Sequence, residues 1–165
     1  MMVTEIDATV NGTRWRGEVE SGASLLDVIR GQMGLTGTKR GCEWLACGVC
    51  TVLLNGRPVS SCGTMATDID GQTLVTIEGL DRSTPEFSEL QKAFVEKVAF
   101  QCGYCTSGQL VLAEALRIAQ GDDTHEPNVR EWMSTNLCRC GSYVGICSAV
   151  ESYLERTTEP ATTTE

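Results

Sequence analysis

Eight of the nine cysteines fall into two tight sets, and this constrains the chain more than any other feature. The first set lies in "GCEWLACGVCTVLLNGRPVSSC", Gly41 to Cys62, with the spacing Cys42-x4-Cys47-x2-Cys50 and then eleven residues before Cys62. The second joins Cys102-x2-Cys105, in "FQCGYCTSGQLV", to Cys138-x-Cys140, in "NLCRCGSY". The start, "MMVTEIDATVNG", lacks the basic region and apolar core of a secretory signal. Clustered thiols are then expected to be metal ligands in a reducing cytoplasm rather than disulfides. No apolar run approaches the roughly 20 residues that span a bilayer. A formal net charge of −9 makes nucleic acid and anionic membrane surfaces poor partners.

The pattern around the cysteines predicts two structural regions. "VTEIDATVNGTRWRGEVE" alternates about Asn11-Gly12, and "TVLLNGRPVSS" does so about Asn55-Gly56; both read as hairpins. Ser24 is placed to cap a short helix, "SLLDVIRGQMG", ending near Gly31 or Gly34. "QTLVTIEGL" reads as one more strand. After "DRSTPEFS" the period turns helical: Leu90, Phe94, Val95 and Val98, then Leu110, Leu112, Ala113, Leu116 and Ile118. Pro127 should start a third helix, "PNVREWMSTNL", and "YVGICSAVESYLERT" a fourth. The expected division is a mixed-sheet domain over residues 1–80, a helical domain over 81–156 and a mobile tail over 157–165.

The first set has the plant-type 2Fe–2S spacing. Three thiolates from one loop must wrap a compact anionic object, so the backbone must approach it closely. Gly41 and Gly48 meet that need, since a residue without Cβ permits close approach and left-handed backbone. A Rieske centre would need two histidines, and the chain has only His125. An all-cysteine zinc site usually shows two short Cys-x2-Cys hairpins; here Cys47 and Cys50 form one, and Cys42 and Cys62 do not form the other. The second set places its pairs at helix ends, where amide dipoles favour thiolates. Taken alone, it is ambiguous between zinc and iron–sulfur.

Together, "GCEWLACGVCTVLLNG", "SSC", "FQCGYCTSGQLV" and "NLCRCGSY" resemble the small iron–sulfur subunit of the xanthine oxidase family of molybdenum hydroxylases, from about Val3 to Tyr153. The resemblance implies an α+β chain: a plant-ferredoxin-like β-grasp domain, then a four-helix domain, each with one 2Fe–2S cluster. It implies that Cys42, Cys47, Cys50 and Cys62 hold the first cluster, and Cys102, Cys105, Cys138 and Cys140 the second. It further implies an electron-transfer role. Electrons leave a molybdenum–pterin site on a large subunit, pass the helical-domain cluster and then the ferredoxin-like one, and reach an FAD on a medium subunit or another acceptor. Gln101 and Cys140 match positions near the pterin. The implied assembly is a heterotrimer or a dimer of heterotrimers, acting on an N-heterocycle, aldehyde or related compound, with no substrate site on this chain. Four positions depart from the common family pattern: Leu45 stands for a glycine, Val49 for an alanine, and "CRCGSY", at Gly141 and Ser142, for "CRCTGY". None removes a cysteine.

The remaining candidates read as structural. Cys147 is expected to be a small apolar side chain on the last helix, and His125 and Asp122-Asp123 solvated loop residues. Trp44 can shield the first set or pack on a partner, and Arg139 can cover charge at the second set or reach a partner. No dinucleotide-binding glycine motif or P-loop is present. Two other classes of function remain: a free-standing ferredoxin-like carrier, for which one cluster would suffice, and a zinc-stabilised interaction module.

Overall fold

The computed structural model describes residues 2–80, 85–120 and 128–158. Both Asn-Gly turns form. β1 (Val3–Val10) pairs with β2 (Thr13–Glu20), and β3 (Thr51–Leu54) with β4 (Arg57–Ser60), each antiparallel through a two-residue loop. Asn11 and Gly12 take φ of 50° and 77°, the doubly left-handed backbone that matches strand twist. α1 (Leu25–Gly31) begins at Ser24, whose hydroxyl accepts the Asp27 N–H. β5 (Thr73–Val75) enters the middle of the sheet, parallel to β1 and antiparallel to β3, giving the order β2-β1-β5-β3-β4. This is the expected ferredoxin-like sheet with one helix across it.

β5 is shorter than "QTLVTIEGL" suggests. The Asn11 side chain takes the Thr76 N–H, so the ladder stops there. The Gly79 and Leu80 N–H groups then donate to the Thr76 carbonyl, and α2 (Ile77–Leu80) begins. α3 (Pro85–Glu96), α4 (Thr106–Gln120), α5 (Val129–Met133) and α6 (Tyr143–Thr158) form the helical part. α5 is also shorter than expected. Asn128 caps it through the Glu131 N–H, and the chain leaves the helix before Asn136, whose side chain turns inward. Pro127, His125, Asp122-Asp123 and residues 159–165 lie outside the described residues. No helix among the described residues is long and apolar enough to cross a membrane.

Two cores result. Ile6, Ala8 and Val10 of β1 face Leu25, Val28 and Ile29 of α1. Leu90 and Phe94 of α3 pack with Leu116 of α4 and Ile146, Val150 and Tyr153 of α6. β3 lies between them: Val52 points into the first core and Leu53 into the second. A strand covered on both faces needs a continuous apolar run, and "TVLL" supplies it. The helical part is thereby seated directly on the sheet, with α4 against β3 and β4.

Val95 and Val98 match the helical period but are 65% and 72% exposed. α3 ends in a Schellman motif: Ala99 N–H donates to the Phe94 carbonyl and Val98 N–H to that of Val95. Val98 occupies the left-handed position at φ 51°, where glycine is usual and a β-branched residue is an outlier. Val98→Gly is expected to raise stability by about 1 kcal/mol. A thermal melt that stays unchanged or falls would contradict this.

Candidate metal centres

Residues 41–50 form a loop whose amides turn inward. Glu43, Leu45 and Gly48 have φ of 60°, 61° and 64°, and such alternation aims successive N–H groups at one concavity. The Trp44 N–H reaches Cys42 Sγ at 3.3 Å, and the Cys42 N–H reaches Cys47 Sγ at 3.4 Å. The N–H groups of Trp44 and Ala46 hold the Cys42 thiol down at about 7. Cys62 comes back just after β4, beside Cys50 and near Cys42, with the Leu45 N–H directed at it. Burial pushes its thiol up, and the neighbouring Cys50 adds to this. A Cβ on Gly41 would lie 2.8 Å from Cys47 Sγ, so the glycine keeps the cradle open.

The second set closes between helix ends. Cys102 and Cys105 precede α4, and Cys138 and Cys140 lie between α5 and α6. Cys102 faces Cys140 and feels Cys138, and its thiol is lowered first by the Tyr104 N–H. Cys105 lies against Cys138; burial pushes it up to about 12. Burial opposes ionisation of Cys138, yet the Ser142 N–H and the Cys105 thiol leave it below its ordinary value.

Among the described residues, no three His, Cys, Asp or Glu side chains converge as they would around one ion. The thiols instead meet in pairs: Cys42 with Cys47, Cys50 with Cys62, Cys102 with Cys140, Cys105 with Cys138. Two pairs per set suit a centre of two metal ions, which Cys42, Cys47, Cys50 and Cys62 would hold in the first set and Cys102, Cys105, Cys138 and Cys140 in the second. Four thiols this close cannot all ionise without positive charge between them, and inward amides are the donors a cluster's sulfurs need. The residues present fit 2Fe–2S clusters.

The two sets are locked to each other. The Leu137 N–H donates to the Cys47 carbonyl at 2.8 Å, linking a residue next to Cys138 directly to the first loop. The buried Asn136 donates its amide to the Gly108 carbonyl, and its own carbonyl accepts from Gln109. The Tyr104 hydroxyl donates to the Arg40 carbonyl at 2.6 Å. Between the sets lies an apolar gap of about 290 Å³, lined by Cys42, Cys47, Val49, Cys102, Cys105 and Leu137. Sequence reasoning passed over Asn136, Leu137 and Tyr104, because an asparagine or tyrosine in a loop carries no periodic signal.

Gln101 is exposed, and its Nε2 donates to the Cys140 carbonyl at 3.2 Å, so these two candidates share one surface. Trp44 is 82% exposed and Arg139 borders the gap. Cys147 is half-buried against the helical core, with its thiol pushed up by burial.

The family described as 2Fe-2S iron-sulfur cluster binding domain matches residues 8–76, and [2Fe-2S] binding domain matches residues 76–151. The nicotinate dehydrogenase small FeS subunit of Eubacterium barkeri is 41% identical over 92% of this chain and 95% of its own. The aldehyde oxidoreductase iron-sulfur-binding subunit PaoA of Escherichia coli is 41% identical over 86% of this chain and 68% of its own. A chain of quinoline 2-oxidoreductase from Pseudomonas putida 86 superposes with a TM-score of 0.79 at 37% identity, covering 93% of this chain and 97% of that one. This chain belongs to the small iron–sulfur subunits of the xanthine oxidase family of molybdenum hydroxylases. It is thus a subunit of an oxidoreductase complex with an electron-transfer role. Packing accounts for how one departure from the family pattern is tolerated. Leu45 adopts φ 61°, a backbone that glycine takes freely and a leucine takes at about 1–2 kcal/mol. This iron–sulfur subunit accommodates it by laying the Leu45 side chain over Gly63, where a Cβ would stand 2.0 Å from Leu45 Cδ2.

Proposed function

We propose that Cys42, Cys47, Cys50 and Cys62 hold one 2Fe–2S cluster, that Cys102, Cys105, Cys138 and Cys140 hold another, and that the chain relays electrons within a molybdenum hydroxylase. When bound, the clusters supply one-electron steps between a molybdenum–pterin centre on a large partner and an FAD on a medium partner or another acceptor. The observation that carries the reading is the pairing of two four-thiol sets across one apolar gap, bridged by Leu137 N–H to the Cys47 carbonyl. Electron transfer falls off steeply with distance. Locking both loops to each other through Asn136, Gln109 and Tyr104 holds that distance fixed.

The same reading divides the chain into a ferredoxin-like domain to about residue 80 and a helical domain over about 81–156. It places the pterin-bearing partner over Gln101 and Cys140. Phe100, Tyr143 and Val144, which flank the second set in sequence, are 38%, 41% and 83% exposed, an apolar rim that a permanent partner would cover. Val98 belongs to that rim, which gives its strained backbone a reason to persist. The assembly is a heterotrimer or a dimer of heterotrimers. The relatives are named for aldehyde, nicotinate and quinoline. Small subunits so alike accompany such different substrates, so substrate choice belongs to the partner's pocket, and an N-heterocycle or aldehyde is the class expected here.

The test is iron content and spectroscopy of the full chain. About four irons per chain, visible absorbance bleached by dithionite, and two distinct EPR signals are expected. Zinc with no visible absorbance, or about two irons in fully loaded protein, would overturn the reading. Co-purification with a large molybdenum-containing chain separates a subunit from a free-standing carrier.

A further inference from the structure

Ser142 stands immediately before α6, at the position of its N-cap. Serine is favoured there because its Oγ accepts an N–H of the first turn. In this chain the Ser142 Oγ is buried and has no hydrogen-bond partner among the described residues. The residue is 8% exposed, so water does not serve it freely either. Beside it lies the Cys138 sulfur, which the Ser142 N–H faces at 3.4 Å. A neutral thiol is a weak acceptor, whereas a thiolate is a strong one. A buried hydroxyl without a partner is destabilising, and the sulfur beside this one becomes a strong acceptor when Cys138 is bound as a thiolate.

We propose that the Ser142 hydroxyl donates a hydrogen bond to Cys138 Sγ in its thiolate, cluster-bound form, and so raises the reduction potential of the helical-domain centre. This rests on the assignment of Cys138 as a cluster ligand. Reduction adds negative charge to the centre and its sulfurs. A hydrogen bond to a ligand sulfur is therefore stronger in the reduced state, and favours it. The common family pattern "CRCTGY" has glycine where Ser142 stands, which offers the backbone N–H but no hydroxyl. Ser142 adds a second donor, by which one centre is set apart from the other without any change of ligand.

The test uses the full chain carrying both clusters. Dithionite is added stepwise under potentiometric control, and each centre is followed by its own EPR signal. In Ser142→Ala, the reduced-to-oxidised ratio of one centre at a fixed poise is expected to fall about tenfold, which is 59 mV for a one-electron couple. The ratio of the other centre should stay where it is. Ser142→Thr keeps the hydroxyl and should restore the ratio. Two unmoved potentials would overturn the proposal. So would an equal shift of both centres, or a lowered thermal midpoint with unmoved potentials, which would make Ser142 an ordinary helix cap. If iron analysis and EPR of the unaltered chain found no second 2Fe–2S centre, the ligand assignment would fall with it. That result is read before any titration and is distinct from the others.

Discussion

Cys42→Ser and Cys138→Ser are each expected to halve the iron content and to abolish one EPR signal, a different one in each variant. A metal-ligating sulfur must be a thiolate. A serine hydroxyl does not ionise at neutral pH, and it cannot replace the thiol that Trp44 and Ala46 hold at about 7. Each centre should fail alone, because its other three thiols come from its own loops. Cys47 and Cys50 share the Cys42 loop and Cys62 follows β4, whereas Cys102, Cys105 and Cys140 line the helix ends. The surviving centre should keep its signal, since the other domain's core does not depend on the lost cluster: Val52 and Leu53 point into separate cores. Iron analysis with low-temperature EPR measures both effects. Full iron and both signals in either variant would remove that cysteine from its set.

Gly48→Ala should be the most damaging change that touches no cysteine. At φ +64°, an alanine costs about 1–2 kcal/mol from backbone alone. Its Cβ would also stand 1.6 Å from Asn136 Oδ1 and 2.8 Å from the Thr135 carbonyl oxygen. Asn136 cannot step aside cheaply. It is 2% exposed, its amide is bound to the Gly108 carbonyl, and its own carbonyl is bound to Gln109. Displacing it leaves buried polar groups unpaired, at about 1–3 kcal/mol more. A total of about 2–5 kcal/mol corresponds to a fall in melting temperature of roughly 10 °C for a chain of this size. Gly12→Ala is the control: its φ is +77° with nothing within 4 Å, so it carries the backbone cost only. If Gly48→Ala melted together with Gly12→Ala, the lock between the two loops would not be holding the domains together.

The elements most legible in the sequence are those set by local chemistry. Asn11-Gly12 and Asn55-Gly56 announce their hairpins because few residues tolerate consecutive left-handed φ. Ser24 announces α1 because its hydroxyl satisfies an amide three residues on. What local signals misjudged was where elements stop. β5 ends at Val75 because Asn11, 65 residues away, takes the next amide. Val98 matches the helical period yet lies past the end of α3, in a backbone that its side chain disfavours.

The sequence alone was enough to establish that two four-cysteine sets exist, that the first has 2Fe–2S spacing, and that a sheet region precedes a helical one. Those are properties of spacing and period, which survive without knowledge of any distant contact. Only the tertiary structure decided how the two sets face each other. The Cys47–Leu137 hydrogen bond, the Asn136 clamp on Gly108 and the apolar gap join residues 28 to 95 positions apart, and no local pattern encodes such pairings. Ser142 shows the same limit most plainly: only the packing of the loop around Cys138 buries its hydroxyl without a partner and sets its N–H 3.4 Å from the Cys138 sulfur.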